Sequence, residues 1–278
     1  MKLRHAAGAG GAHGLVAMKP LVVISKENAA SQNIKSALLK LGKFGQAQEG
    51  FWPGADFDMA EYSGSIIEIV PDRQAEYYIY ASTHKSESGK PSFTVHTQGN
   101  WGNADFGGRP RTLNIACPAK LKVALRKLKE LSDASLTWEA CMEVDHHGPT
   151  LDAPVFFIEI GSTEKEWGVP AAGGIVARAI IAAVESKEEF PCYVGFGGTH
   201  YTSKFTPIVL GSEKAIGHII SGYSLEGSGL DEGRVRQALE KNVGKIEAVL
   251  LDWKGIKGGA RKELIAMLEK LGVKWEKA

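Results

Sequence analysis

Residues Glu139–Thr163 read EACMEVDHHGPTLDAPVFFIEIGST, and the prediction of the fold starts from this stretch. Two apolar runs, Glu139–Val144 and Pro154–Gly161, predict strands, and a polar insert with two adjacent histidines separates them. The Gly148-Pro149 pair is a turn signal, which places the histidines where the first strand ends. Open α/β sheets present ligand-binding and catalytic groups at the carboxyl ends of their strands. We therefore expect a functional site at this point of the chain.

Strand and helix patterns alternate along the rest of the chain, without internal repeats or a Pro/Ser-rich linker. This alternation predicts a single layered α/β/α domain with a mixed, largely parallel sheet. The further predicted strands are Leu21–Ser25, Ser65–Val70, Tyr77–Ser82, Ser92–His96, Cys192–Phe196, Ile246–Asp252 and an edge strand at Val273–Trp275. The predicted helices run from Asn28 or Ser31 to Leu41, and over Pro118–Leu131, Gly174–Lys187, Leu230–Asn242 and Ala260–Leu271.

Composition narrows the class of protein. The 278 residues are 44% hydrophobic and 23% charged, as is usual for globular proteins. A formal net charge of +1 excludes a global basic field, so a nucleic acid would need a local basic patch. The cysteines Cys117, Cys141 and Cys192 lie far apart in or beside apolar runs, which predicts reduced thiols in a cytoplasmic protein. No apolar run approaches the roughly 18 residues of a membrane span.

The first 17 residues, Met1–Ala17, are rich in glycine and alanine and lack the apolar core of a secretory signal. We interpret them as a disordered extension, or as sequence upstream of a start at Met18. The catalytic α/β domain is expected to span residues 18–278, with no visible boundary inside it.

The helix predicted over Pro118–Leu131 carries a run of basic residues beside its apolar stripe. Charge runs on helices usually form a solvated face, and we favour that interpretation here. The basic residues concerned are Lys120, Lys122, Arg126, Lys127 and Lys129.

Several histidines fall at or just past predicted strand ends. Imidazoles gathered at one edge of a sheet act as general acids and bases or as metal ligands. A structural role is the simpler interpretation for any single histidine, but the number of coincidences favours a shared site. The spacing fits no standard zinc motif. The histidines concerned are His84, His96, His146, His147 and His200.

Carboxylates that could join these histidines are Glu143, Asp145 and Glu159. Each could act as a base, as a metal ligand or as a partner that orients a histidine. Adjacent residues of an extended strand point to opposite faces. We therefore expect only one of His146 and His147 to face the site if the strand continues through them.

Two glycine-rich segments are candidates for substrate contacts. Gly197 and Gly198 follow a strand, where glycine allows close approach to a ligand or simply forms a turn. Lys254 and Lys257 precede a predicted helix start, whose backbone N–H groups attract phosphate, and Arg261 extends the positive patch. A plain surface loop is the alternative for the lysine segment.

Six stretches, in this order along the chain, carry a family resemblance, and HHGPT and GNWG are the most specific. They are Thr94–Thr97 with Gly99–Gly102, His146–Thr150, Phe156–Ser162, Gly197-Gly198 with His200-Tyr201, Gly217–Ile219 and Asp252–Gly255. The chain resembles the archaeal and plant type of D-aminoacyl-tRNA deacylase. Three places depart from that pattern: Thr199 replaces a glycine, Asp145 replaces a small or hydroxylated residue, and Ser88–Lys90 differs locally.

The resemblance implies hydrolysis of the ester between a D-amino acid and the 3′ end of tRNA, dependence on zinc, and a fold similar to peptidyl-tRNA hydrolases and nucleoside phosphorylases. It implies no binding of DNA or membranes, and we expect a monomer. The metal ligands would come from His84, His96, His146, His147, His200 and Glu159. The catalytic residues would be His96, His147, Glu143, His200 and Gly198, with backbone N–H groups near Gly197–Thr199 as an oxyanion site. The acceptor end of tRNA would meet Asn100, Trp101, Lys254, Lys257 and Arg261.

Three alternatives remain at the level of sequence. A metal-free reaction would use one histidine as base, assisted by the ribose hydroxyl of the tRNA. A small-molecule hydrolase would use the same fold without salt-sensitive binding of tRNA. A protein that only binds the tRNA end would leave the ester intact.

Overall fold

The computed structural model describes residues 18–278, so the extension predicted at Met1–Ala17 lies outside the described residues. The strands are β1 (Leu21–Ser25), β2 (Phe51–Trp52), β3 (Asp58–Tyr62), β4 (Tyr78–Thr83), β5 (Ser92–His96), β6 (Gly99–Asn100), β7 (Thr112–Leu113), β8 (Glu139–Met142), β9 (Val155–Gly161), β10 (Cys192–Phe196), β11 (Ala215–Ile220), β12 (Ile246–Leu251) and β13 (Trp275–Lys277). The helices are α1 (Ala29–Leu41), α2 (Pro118–Asp133), α3 (Glu164–Trp167), α4 (Pro170–Glu185), α5 (Phe205–Gly211), α6 (Gly222–Gly227), α7 (Glu232–Glu240) and α8 (Gly258–Lys270).

Helix starts follow local sequence signals. The side chain of Asn28 accepts a hydrogen bond from the Ser31 amide and caps α1, while Pro118 occupies the first turn of α2. Thr163 and Glu166 form the reciprocal hydrogen bonds of a capping box at α3. These short-range interactions explain why helix starts could be predicted closely, although α4 begins at Pro170 rather than at Gly174.

The strands form two main sheets. The larger sheet has the order β2-β3-β1-β4-β9-β5-β8, and the smaller one has the order β11-β10-β12-β13. Strands β3, β1, β4 and β9 are parallel, whereas β5 is antiparallel to β9 and parallel to β8. The smaller sheet is parallel throughout. These pairings confirm a mixed, mostly parallel α/β fold, and the closer likeness to peptidyl-tRNA hydrolases stays a prediction.

One face of the larger sheet packs against α1, α2 and α4. Fully buried apolar side chains from these three helices form the main core with the sheet, among them Ile34, Leu38, Leu121, Leu125, Val176 and Ile180. Burial of each such side chain contributes about 1.5–3 kcal/mol. A second core joins β10 and β12 to α7 and α8. Among the described helices, none is long and apolar enough to cross a bilayer.

The strand predicted at Ser65–Val70 is wrong. The segment forms a turn in which the Glu68 amide donates to the Ser65 carbonyl oxygen at 2.9 Å. Ile66 and Ile69, three residues apart, are both buried against the larger sheet. The segment therefore buries its apolar side chains with the spacing of a turn, which a short apolar run does not distinguish from a strand.

Lys122 corrects the interpretation of the basic run on α2. Its side chain is 1% exposed, and its ammonium group donates to the carbonyl oxygens of Val209, Ser212 and Lys214 at 2.6, 2.5 and 3.1 Å. The carbonyls lie at the end of α5 and just before β11, so one lysine joins α2 to the smaller sheet. Lys127, by contrast, contacts only Glu130 on the surface, as expected.

We expect Lys122→Met to lower the free energy of unfolding by about 3 kcal/mol, because three carbonyl oxygens lose their donor in a buried position. Urea denaturation measures the change. Lys127→Met is the matched control and should change stability by less than about 0.5 kcal/mol. Equal effects of the two substitutions would contradict the role assigned to Lys122.

Candidate active site

A cavity of about 670 Å³ lies where β1 and β4 end and α1 begins. Its wall is polar on the side of the sheet, where histidines and a carboxylate gather, and includes apolar side chains elsewhere. The polar residues are Ser25, Glu27, Asn28, Ser65, Ser82, Thr83, His84, Lys85, His146, His147, Glu159 and His200. The apolar ones are Ala29, Ile66, Ile67, Phe106 and Trp167.

The antiparallel direction of β5 decides how His96 reaches the site. His96 pairs with Phe157 in the middle of β9, and Thr94 pairs with Glu159. Residues two apart on a strand share a face, so His96, Thr94 and Glu159 project from the same face of the sheet. The opposite face, with Val95 among its residues, belongs to the main core. His96 therefore ends its strand, as predicted, and reaches the cluster from a strand that runs antiparallel to β9.

The two adjacent histidines both reach the cavity. Strand β8 ends at Met142, and His147 has a positive φ of 48°, so the extended backbone does not continue through the pair. The chain reverses at His147, and both imidazoles lie beside His96, with ring centroids 4.3 Å (His146) and 4.9 Å (His147) from it. We expected only one of the two histidines to face the site if the strand continued through them. The strand ends before them, so both can face the site.

Glu143 lies at the centre of the cluster and is 1% exposed. One of its oxygens is 2.9 Å from Nδ1 of His84, and the other is 3.2 Å from Nε2 of His200 and 3.6 Å from Nε2 of His146. Within residues 18–278, neither oxygen has a partner in hydrogen-bond geometry. Burial raises the pKa of Glu143, but His200 and His84 outweigh it and hold the pKa well below the ordinary value.

Glu159 is the second buried carboxylate. It accepts a hydrogen bond from Thr94 Oγ1 at 3.1 Å, and the same oxygen is 3.7 Å from both His84 and His96. Burial opposes a charge on His84, but Glu143 and Glu159 raise the pKa of His84 to about 11. His84 is therefore an imidazolium between two carboxylates, which offsets part of the cost of burying them.

Backbone carbonyls fix the orientation of three imidazoles. Nδ1 of His146 faces the Val144 carbonyl oxygen at 2.8 Å, Nδ1 of His147 faces that of Gly148 at 2.6 Å, and Nδ1 of His96 faces that of Thr97 at 3.3 Å. Each Nδ1 thus donates to a carbonyl oxygen, which leaves Nε2 as the ring atom that could bind a metal. A hydrogen bond of this kind on the second ring nitrogen is typical of histidines that bind metals.

The three Nε2 groups suit a metal ion. The ligand atoms of His96, His146 and His147 lie within 4.8 Å of one another. In the described part of the chain, Nε2 of His96 is buried without a hydrogen-bond partner, which costs free energy. A bound cation would give this nitrogen a partner. Two other groupings also place three ligand atoms together: Glu143 with His146 and His200, and His84 with both glutamates.

The protonation states of these rings agree in part with metal binding. Burial and the neighbouring His96 lower the pKa of His147 to about 4, and burial and His96 lower the pKa of His146 well below its ordinary value. Both rings are therefore neutral near pH 7, as ligands must be. Burial lowers the pKa of His96 as well, but Glu159 and Glu143 outweigh it and raise the pKa, so a metal would displace a proton there.

Asp145 points away from the cavity and joins the two sheets. Its carboxylate pairs with Nδ1 of His218 at 2.5 Å and accepts from the Ile219 amide at 2.8 Å, while Nε2 of His218 donates to the Lys241 carbonyl oxygen at 2.8 Å. The side chains of Asp145 and His218 are 1% and 0% exposed. Asp145 therefore orients a histidine, one of the roles open to it from the sequence, but that histidine is His218 and not a member of the cluster, and both carboxylate oxygens are occupied.

The geometry does not support the oxyanion role expected for the N–H groups of Gly197 and Gly198. The Gly197 amide donates to the Ile220 carbonyl oxygen at 2.7 Å, and the Gly198 amide donates to that of Gly255 at 3.1 Å. A Cβ atom at Gly197 would lie 2.7 Å from the Ile256 side chain. These glycines allow two loops to pack closely, and their N–H groups are not available to a substrate.

Asn100 and Trp101 were expected to bind substrate, but both are buried and serve the structure. Asn100 donates to the carbonyl oxygens of Gly107 and Arg109 at 2.9 and 3.3 Å, and so holds the glycine-rich loop. Trp101 is 3% exposed and donates to the Gly229 carbonyl oxygen. Neither side chain lines the cavity.

The basic patch expected at the start of α8 is only partly open to a ligand. Lys254 is exposed. Lys257 contacts Glu226 at 2.6 Å, and Arg261 donates to the Trp253 carbonyl oxygen at 2.6 Å and stacks on its ring. Arg261 therefore stabilises the loop before α8. Lys254 is exposed, and its contact with a phosphate group stays a prediction.

Several side chains of the site were not assigned a role from the sequence. Tyr201 contacts Nε2 of His84 at 2.7 Å, and Thr94 binds Glu159. Thr94 lies two residues before His96, so the period of two along a strand could have found it. Lys85 and Phe106 line the cavity from loops. Loops have no regular repeat of side-chain direction, so the sequence does not predict where these side chains point.

Comparison with known proteins identifies the family of the chain. The sequence profile of the D-aminoacyl-tRNA deacylase family matches residues 71–276. A D-aminoacyl-tRNA deacylase of Thermococcus kodakarensis is 37% identical over 273 residues, which cover 92% of this chain and 98% of the relative. One of Methanosarcina acetivorans is 37% identical over 278 residues, covering 92% and 91%. A crystal structure of a conserved protein of unknown function has a TM-score of 0.86 at 33% identity, covering 94% of this chain and 95% of that chain.

The chain belongs to the D-aminoacyl-tRNA deacylase family. This confirms the resemblance inferred from the HHGPT and GNWG stretches.

We expect Asp145→Ala to lower the free energy of unfolding by about 3–5 kcal/mol, because it leaves His218 without its buried partner. Urea denaturation tests this expectation. Asp152→Ala is the matched control, since the Asp152 side chain is 95% exposed and forms only a surface ion pair with Arg109. A change at Asp145 no larger than the change at Asp152 would show that the buried pair does not join the sheets.

Proposed function

We propose that this protein hydrolyses the ester bond between a D-amino acid and the 3′ end of tRNA, and that the cluster around Glu143 is where it does so. Membership of the D-aminoacyl-tRNA deacylase family supports the reaction. The observation that supports the location is the convergence of histidine and carboxylate groups in the wall of a cavity large enough for an aminoacyl nucleoside.

His96, His146 and His147 would hold a zinc ion. Three imidazole nitrogens match the protein ligand set of a catalytic zinc site. The hydrogen bonds from Nδ1 to backbone carbonyls favour this group over the one that includes His200, whose Nδ1 has only a 3.5 Å contact with Tyr223. When bound, zinc supplies Lewis acidity, which polarises a carbonyl group and lowers the pKa of a water molecule to about 7.

Glu143 and His200 would move the proton. Nε2 of His200 lies 3.2 Å from a Glu143 oxygen, which favours a hydrogen on Nε2 and would leave the lone pair of Nδ1 for an attacking water. His200 is partly exposed and lines the cavity, whereas Glu143 is buried behind it. Glu143 thus orients the base, and Glu159, held by Thr94, balances the charge of His84.

The acceptor end of tRNA would approach along the loops that contain His200 and Lys254. The Gly198 amide donates to the Gly255 carbonyl oxygen, which places the loop of Lys254 beside the loop of His200. Lys85, directly after His84, adds a positive charge to the cavity wall. Lysines at these two places would contact phosphate groups, and binding would weaken as the salt concentration rises.

We expect D-tyrosyl-tRNA to be hydrolysed and L-tyrosyl-tRNA to survive when both are incubated with the protein. Because the proposed site uses zinc, a chelator should abolish the loss of the D-ester, and added zinc should restore it. Release of free tyrosine from labelled tRNA measures both reactions. Hydrolysis of the D-ester that a chelator does not change would keep the function and reject the zinc site, and loss of neither ester would reject the function.

We expect His96→Ala and His147→Ala each to weaken zinc binding by more than about 100-fold, because each removes a ligand and not merely an outer partner. Competition with a chromophoric chelator measures the affinity without reference to activity. His200→Ala is the matched control: it should slow hydrolysis and leave zinc affinity near that of the wild type. Loss of zinc in His200→Ala together with retention in His147→Ala would place the metal in the other grouping.

A further inference from the structure

Phe106 is the most exposed large hydrophobic side chain of residues 18–278, at 70%, and it lines the cavity that holds the histidine cluster. Single exposed apolar residues are common and need no explanation. Phe106 differs because its backbone belongs to the site. Its carbonyl oxygen accepts a hydrogen bond of 2.9 Å from the amide of Gly148, the residue directly after His147.

The loop that carries Phe106 is held at several points. Asn100 donates to the carbonyl oxygens of Gly107 and Arg109, and the Arg109 amide donates to Thr150 Oγ1 at 2.8 Å. Gly148 lies so close to the loop that a Cβ atom there would be 2.4 Å from the Gly108 amide nitrogen. The phenyl group is therefore exposed on a backbone whose position relative to His147 is fixed.

The side chain also has apolar neighbours in the cavity wall. Ile66 and Ile67 line the same cavity, and a Cβ atom at Gly107 would be 2.5 Å from the Ile67 carbonyl oxygen, so the two segments are in contact. Phe106 and the two isoleucines form an apolar patch beside the polar cluster. A ligand with one flat apolar face and one ester group matches this division of the cavity wall.

We propose that Phe106 stacks on the adenine base of the terminal nucleotide of tRNA. This rests on the proposed function, because the scissile ester must then lie at the cluster. The base and the ester are attached to the same ribose, so the base must lie within one sugar of the histidines. An aromatic side chain beside the cluster suits a group that every substrate shares, since stacking on a base does not depend on the amino acid.

Phe106→Ala is expected to raise the KM for D-tyrosyl-tRNA and for D-alanyl-tRNA by the same factor, about 5- to 150-fold, with little change in kcat. Phe106→Trp should keep the KM near that of the wild type, and Phe106→Leu should behave like Phe106→Ala, because leucine is apolar but not planar. Leu39→Ala is the matched control, an exposed apolar residue on α1 outside the cavity wall. Calorimetric titration with adenosine 5′-monophosphate alone should show the same loss of affinity in Phe106→Ala.

Three results would overturn the proposal. A KM that rises for the D-tyrosyl ester but not for the D-alanyl ester would assign Phe106 to the amino-acid side chain. Unchanged binding of adenosine 5′-monophosphate by Phe106→Ala would show that the adenine base does not contact Phe106. A Phe106→Leu variant with the KM of the wild type would exclude stacking. Failure of the proposed function is seen separately, as a wild-type protein that hydrolyses neither D-ester, and the nucleotide titration then still decides whether the wall binds a base.

Discussion

Two carboxylates buried in one cluster, those of Glu143 and Glu159, impose the main constraint on this structure. A buried charge is costly unless opposite charge and hydrogen bonds surround it. The chain meets this demand with His84 between the two carboxylates, Thr94 on Glu159 and His200 against Glu143. These groups come from strands and loops of both main sheets, so the path of the backbone at the junction of the sheets follows from the need to enclose two negative charges.

The segment after β8 makes that junction. Its backbone pairs with the loop after β10, through the Val144 amide and the His200 carbonyl oxygen, and with β11, through the Asp145 amide and the Ile219 carbonyl oxygen. The Asp145–His218 pair adds side-chain bonds at the same place, and Lys122 joins α2 to the smaller sheet from the far side. His146 and His147 thus lie on a backbone that is held from both sides, which limits how far their ring nitrogens can move apart.

The sequence predicts which residues form the candidate site better than it predicts where their side chains point. All the histidines and carboxylates of the cluster were candidates, because a titratable group after an apolar strand is a local signal. The reversal at His147 and the antiparallel course of β5 depend on distant partners, so the geometry of His146 and His96 was not predictable. The short motifs predict ligand contacts for Gly198 and Trp101. In the structure both residues make internal hydrogen bonds, which a sequence motif does not reveal. The strand predicted at Ser65–Val70 is wrong for the same reason. The segment forms a turn, and its apolar side chains are buried against a sheet made by other parts of the chain.

The order of the strands in the chain has a consequence for synthesis on the ribosome. The larger sheet is complete in sequence at β9, but Asp145 has its side-chain partners in His218 and Ile219, and Glu143 has one of its partners in His200, and all three residues are translated later. Until those residues leave the ribosome, the nascent chain holds acidic groups that water must keep solvated. The first part of the polypeptide therefore cannot complete the surroundings of Asp145 and Glu143 ahead of the rest, and the cluster gains its last histidine only when the loop after β10 has been translated.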